Sequence, residues 1–140
     1  MYTDTLKSLF QEEAPNLNNE LDFIALSRSG VSKRTLGRLL EFSGMTLTQM
    51  SHILPISKRT IQRYDASQKF SPDVSEHLIQ IAKVLSRGYE VLGDKKKLAA
   101  WLNTPLLSLD QQPPMSLMDT MIGMQLIIKE LGRLEHGVYS

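Results

Sequence analysis

Between Ser57 and Arg63 every side chain except Ile61 is polar or cationic. Ser57, Lys58, Arg59, Thr60, Gln62 and Arg63 form a donor-rich set. Arg and Gln suit guanine and adenine edges, and Lys, Ser and Thr suit phosphate oxygens. Other chemistries find little support. The three histidines, His52, His77 and His136, are scattered, with no i, i+4 pair and no Glu-x-x-His cluster. The chain has no Cys, which removes a thiolate metal site, a disulfide framework and a Cys nucleophile together. No Ser/His/Asp grouping and no phosphate-cradling glycine loop is legible. The residues therefore point to no enzyme, no catalytic residue, no metal and no cofactor.

A donor set of this kind needs a helix to present it. Thr46 caps a helix over Leu47–Leu54 with Leu47, Met50 and Leu54 inward, Pro55 breaks it, and Ser57 caps a second helix over Lys58–Asp65. Ile56 and Ile61 pin the second helix to the first. This is the punctuation of a helix-turn-helix, whose second helix offers its N-terminal residues to the major groove. Net charge is only +1, but it is unevenly spread. Residues 1–27 hold five acids against Lys7, while residues 28–69 hold eight Lys/Arg against Glu41 and Asp65. A basic middle between acidic or neutral ends suits a nucleic-acid-facing lobe; a solvated cationic face is the plainer reading.

The rest of the chain also reads as helix, with no strand-like alternation, so the expected fold is all-α. A first helix runs through Leu6, Leu9 and Phe10 and ends before Pro15. A second over Asn18–Ser29 has Leu21, Ile24 and Ala25 at helical spacing. Ser32 caps Lys33–Phe42, which ends at Gly44. Ser71-Pro72 starts a long helix that pauses near Gly88 and ends at Gly93. Asp94 caps Lys95–Asn103, and the proline-bearing stretch 105–114 reads as a linker. A last helix over Gly123–Glu135 has Leu126, Ile127, Leu131 and Leu134 on one face. The expected division is 1–24, a partly helical N-terminal extension; 25–70, the helix-turn-helix domain; and 71–140, a small helical domain. No apolar run is long enough to span a bilayer and the N-terminus lacks a signal-peptide pattern, so the expected compartment is the cytoplasm, with no membrane partner. The echo of Ser32-Lys33-Arg34-Thr35-Leu36 in Ser57-Lys58-Arg59-Thr60-Ile61 is too short for a repeat architecture.

Past residue 87 a second pattern enters. Gly88-Tyr89-Glu90-Val91-Leu92-Gly93-Asp94, then Ala99-Ala100-Trp101-Leu102-Asn103-Thr104-Pro105, then Pro114-Met115-Ser116-Leu117-Met118-Asp119-Thr120, then Gly123 and Glu135-His136-Gly137-Val138 resemble the toxin-binding domain of the Xre/MbcA/ParS antitoxin family. Ile56–Arg63 resembles that family's Xre-like helix-turn-helix. Two departures stand out: Asp110 and Gln111 sit where the family usually has Gly-Gly, and Leu92 where Phe is frequent.

The resemblance implies a type II antitoxin whose partner is a RES-domain toxin that consumes NAD⁺, with repression of its own operon through operator DNA. It implies a homodimer and a larger assembly with toxin, and it puts toxin contacts at Trp101, Pro114, Gly123, His136, Gly137, Val138, Tyr139 and Ser140. The residues alone give plainer roles to some of these: Trp101 as core, Pro114 as a chain-turning residue, Gly123 as a point of close packing. The tail after Glu135 is too short to fold alone, and docked in a cleft Tyr139 would supply a large contact. Met115, Met118, Met121 and Met124, spaced by three, suit either an adaptable binding side or core filling. The other reading is a free-standing helix-turn-helix transcriptional regulator whose C-terminal half dimerises.

Overall fold

A computed structural model describes residues 2–137; Val138, Tyr139 and Ser140 lie outside the described residues. Among those described there are eight α-helices and no strand: α1 Tyr2–Leu9, α2 Glu20–Ser29, α3 Lys33–Ser43, α4 Leu47–Ile53, α5 Lys58–Arg63, α6 Pro72–Leu92, α7 Lys95–Leu102 and α8 Met121–Glu135. Two 3-10 turns, Leu107–Leu109 and Pro114–Leu117, lie between α7 and α8. No helix among the described residues is long and apolar enough to cross a membrane.

Local chemistry sets the helix ends. Ser32, Thr46, Ser57, Ser71, Asp94 and Thr120 each accept a backbone N–H in the following first turn, satisfying donors that a helix start leaves unpaired. The Ser-Lys-Arg-Thr echo is this device used twice, at the starts of α3 and α5. At Gly44 and Gly93 the chain leaves α3 and α6 in the left-handed region.

α6 is the hub, with α1, α2, α7 and α8 packed around it. That is why its apolar residues are not confined to one stripe: Val74, Leu78, Ile79, Ile81, Ala82, Val84 and Leu85 are all buried. The expected pause near Gly88 is absent, and α6 runs unbroken to Leu92. Gly88 serves packing instead, since a Cβ there would sit 2.5 Å from Leu98 Cδ1 of α7. The N-terminal extension is part of this core: Leu6, Leu9, Phe10 and Leu17 are buried in it, each contributing about 1.5–3 kcal/mol of apolar transfer before entropy is subtracted.

Two helix faces differ from expectation. In α2, Leu21, Ile24 and Ala25 face solvent, while Leu26 is buried and Phe23 packs against the core. In α8, Gly123, Met124, Ile127 and Leu131 are inward, and Leu126 and Leu134 are exposed. Both helices carry more apolar residues than one stripe can hold, so spacing permits several faces and the packing partner selects one.

The stretch 105–114 is not a linker but a self-tied loop. Leu106 N–H donates to the Gln112 carbonyl at 3.2 Å and Gln111 N–H to the Leu106 carbonyl at 2.9 Å, while Leu109 is buried. Asp110 and Gln111 both have positive φ, 57° and 62°, so the family's glycine positions keep a glycine-like backbone here without glycine. Asp tolerates this region better than Gln. Gln111→Gly should therefore raise unfolding free energy by about 0.5–1 kcal/mol. Urea denaturation checks this; a loss of stability would mean that the turn does not hold the left-handed geometry.

Candidate nucleic-acid and partner-docking surfaces

The helix-turn-helix rests on Met50, Ile53 and Leu54 of the α4 segment and Ile61 of α5, all buried. With Ile61 anchored, α5 turns the rest of its surface outward. Ser57, Lys58, Arg59, Gln62 and Arg63 are exposed and Thr60 is half-buried, so the six residues singled out in sequence share one solvent-facing surface. Three have local duties. The Ser57 hydroxyl accepts from Thr60 N–H at 3.1 Å and pairs with the Thr60 hydroxyl at 2.8 Å. Lys58 Nζ donates to Thr48 Oγ1 at 2.7 Å. Arg59 and Arg63 meet no carboxylate within ion-pair distance among the described residues, whereas Arg34 and Arg38, one helix away, are both paired with Glu12 at 2.6 and 3.1 Å. Within the helix-turn-helix lobe, α5 thus offers Arg59 and Arg63 to an outside anion, where α3 has its arginines paired. That helix ends at Arg63, shorter than the expected Lys58–Asp65.

Further along the chain, α7, the 105–114 loop and α8 border an open groove of about 460 Å³ lined by Trp101, Leu106, Leu107, Ser108, Glu130 and Leu134. Trp101 is half-buried, with part of its ring area packed on the core and part facing this groove. Leu107 at the rim is 82% exposed and Ile122 on α8 is 74% exposed. Met121, Leu126, Ile128 and Leu134 add to the solvent-facing apolar area of the same helix. A concentration of this kind on one element marks an interaction surface.

The C-terminal end of α8 is held firmly. Arg87 of α6 donates two hydrogen bonds to the Glu135 carboxylate, one of 2.8 Å and one shorter, and lies 3.7 Å from Glu90. The Arg87 hydrogen bond, opposed by partial desolvation, holds the Glu135 carboxyl below the usual glutamate range. The end of α8 is thereby tied to α6.

The other residues proposed as toxin contacts divide by burial. Pro114 and Gly123 are buried and offer no contact surface while the fold is intact; their part is to shape the turn and seat α8. His136 and Gly137 are exposed. Val138, Tyr139 and Ser140 fall outside the described residues. The methionine run is mostly core: Met115, Met118 and Met124 are buried and only Met121 is exposed. His77 binds the Met118 carbonyl oxygen at 2.9 Å, tying the turn to α6. No cluster of His, Asp or Glu among the described residues could hold a metal ion. Leu107 and Ile122 escaped the sequence reading. The available signal was the apolar excess of α8, which carries Met121, Ile122, Met124, Leu126, Ile127, Ile128, Leu131 and Leu134, more than one buried face can use.

Comparison with known proteins matches two successive segments of the chain. Residues 22–83 match the model of the antitoxin Xre-like helix-turn-helix domain, and residues 87–137 match that of the antitoxin Xre/MbcA/ParS C-terminal toxin-binding domain. Antitoxin Xre of Yersinia enterocolitica is 33% identical over 85 residues, 60% of this chain; the match spans 57% of that relative's length. Antitoxin Xre of Photorhabdus laumondii is 27% identical over 128 residues, 90% of this chain and 82% of the relative. The fold is similar to a chain in the crystal structure of the M. tuberculosis MbcT-MbcA toxin-antitoxin complex, with a TM-score of 0.57 at 19% identity over 89% of this chain and 100% of that one. At that identity the likeness concerns the fold alone. Matched in order by the helix-turn-helix and toxin-binding domains, which together take in most of its length, the chain belongs to the Xre/MbcA/ParS antitoxin family.

Proposed function

We propose that this chain is the antitoxin of a cytoplasmic toxin–antitoxin pair: it holds a RES-domain, NAD⁺-consuming toxin on the α7–α8 surface and, as a homodimer, represses its own operon through α5. It works by binding, with no catalytic step of its own. The observation that carries this reading is the apolar groove beside Trp101, where Leu107 and Leu134 are exposed, which lies within the segment matched by a toxin-binding domain. In this reading His136, Gly137, Val138, Tyr139 and Ser140, which follow α8 in the chain, enter the toxin's active-site cleft. A free-standing regulator would use the same surface to dimerise; the toxin-binding match favours the first reading.

The test is expression of the neighbouring reading frame alone and together with this chain. The neighbour should arrest growth alone, and the two should co-purify when expressed together. A harmless neighbour that does not bind overturns the reading.

The DNA arm is separable. Arg59→Ala with Arg63→Ala should weaken binding to the duplex upstream of this chain's reading frame by about 10- to 100-fold. Each of the two arginines that neutralises a phosphate should, once replaced, reduce the salt slope by about 1. Co-purification with the neighbour should be unchanged. Gel-shift titration at several salt concentrations checks this, and undiminished binding would place the DNA-reading surface elsewhere.

A further inference from the structure

Glu12 and Glu13, just past α1, lie upstream of the helix-turn-helix match, which begins at residue 22, yet both bond α3, and Glu13 holds its first turn. The Glu13 Oε1 atom accepts from Ser32 N–H at 3.1 Å, from the Ser32 hydroxyl at 2.5 Å and from the Thr35 hydroxyl at 2.7 Å. Its Oε2 atom takes the Thr35 hydroxyl at 2.8 Å. Ser32 and Thr35 are buried, at 2% and 0% exposure. Hydrogen bonds to an ionised carboxylate are stronger than neutral ones, so these bonds fix the start of α3 firmly against the α1 segment.

The opposite side of that turn holds the chain leaving α5. Lys33 N–H donates to the Gln68 carbonyl at 3.0 Å, Arg34 N–H to Ala66 at 2.8 Å, and Phe70 N–H to Val31 at 2.9 Å. Lys33 Nζ donates to the Tyr64 carbonyl at 2.8 Å, just past the end of α5. The first two amides of α3, Lys33 and Arg34, which have no partner within their own helix, thus hold the 64–70 segment. α5 needs such help, because a helix of six residues is marginal on its own.

We propose that Glu13 is a positioning residue for the DNA-facing helix: by locking the first turn of α3 it fixes the 64–70 segment and with it the presentation of Arg59, Gln62 and Arg63. The DNA-facing part of this inference rests on the reading of α5 given above. Among the described residues the neighbouring Glu12 bonds the side chains of Arg34 and Arg38 alone, so it should not share this role.

The test uses the full chain and the variants Glu13→Gln, Thr35→Val and Glu12→Gln. Thr35→Val removes the same hydroxyl from the other side with little change of shape. Two readouts are taken: amide hydrogen exchange, and affinity for the duplex upstream of the reading frame against a scrambled duplex of equal length. Glu13→Gln and Thr35→Val should each speed exchange at Lys33, Arg34 and Phe70 about tenfold and leave the amides of α8 unchanged. Both should weaken upstream-duplex binding about three- to tenfold, because only the correctly placed fraction binds. Glu12→Gln should do neither. Unchanged exchange in both clamp variants, an equal effect of Glu12→Gln, or uniformly faster exchange throughout the chain would overturn the proposal. A wild-type chain that does not prefer the upstream duplex overturns its DNA-facing part and the α5 reading together, while the exchange data still decide the clamp.

Discussion

Gly123→Ala is expected to destabilise the fold by at least about 3 kcal/mol, near the top of the range for a single substitution. A Cβ at this position would lie 1.8 Å from the Leu117 carbonyl oxygen and 2.8 Å from its carbonyl carbon. Both are backbone atoms of the 3-10 turn that precedes α8, and that turn is itself tied down by Met118 N–H donating to Met115 and by His77. Relief therefore requires moving α8 or unfolding the turn. Gly88 makes the contrast. There the obstruction is the Leu98 methyl at 2.5 Å, the end of a side chain that can rotate, and alanine improves helix propensity by about 0.5–1 kcal/mol. Gly88→Ala should be far milder. Denaturant midpoints of the two variants measure the difference; a Gly123→Ala protein as stable as wild type would show that α8 does not pack on the turn in this way. Because α8 also carries much of the apolar docking surface, Gly123→Ala should weaken partner binding as well, by displacing the helix that presents that surface.

Leu107→Asp is expected to separate binding from stability. At 82% exposure Leu107 gives the fold little, so the substitution should shift folding free energy by no more than about 0.5 kcal/mol. If the groove beside Trp101 receives the toxin, a carboxylate at its rim would be buried without a partner. Such placements cost about 2 kcal/mol or more, which is about 30-fold in affinity. Ile122→Asp should behave in the same way on the outer face of α8. Trp101 gives a convenient optical probe, since it is the only tryptophan and lines the groove. Titration of the co-purified neighbour against each variant, followed by tryptophan emission, measures the weakening. Undiminished binding by both would move the docking surface off the groove and off the outer face of α8.

What could be read from sequence depended on the range of the cause. Helix ends followed from adjacent residues, so Ser32, Thr46, Ser57, Ser71 and Asp94 as caps and Gly44 and Gly93 as stops were legible. The outward surface of α5 followed too, because Ile61 is the only apolar side chain between Ser57 and Arg63 and must be the anchor. The faces of α2 and α8 were not legible. In α2 the set Leu21, Ile24 and Ala25 competes with Phe23 and Leu26, and only packing against α6 decides between them. The compact 105–114 loop was hidden by residue type, since neither Asp110 nor Gln111 signals positive φ as glycine would. The Glu13 clamp on Ser32 spans 19 residues, and no spacing rule reaches that far. Close packing at Gly123 and chain turning at Pro114 were legible from residue type, and both positions are buried in the fold.

The most direct measurement of the central claim is cellular NAD⁺ in three strains: one expressing the neighbouring reading frame alone, one adding the whole chain, and one adding a chain that ends at Glu135. NAD⁺ should collapse in the first and remain normal in the second. In the third the shortened chain should still co-purify with the neighbour through the α7–α8 surface but protect NAD⁺ poorly. Unchanged protection without residues 136–140 would contradict the role of the tail. An NAD⁺ level that never falls when the neighbour is expressed alone would contradict the account as a whole.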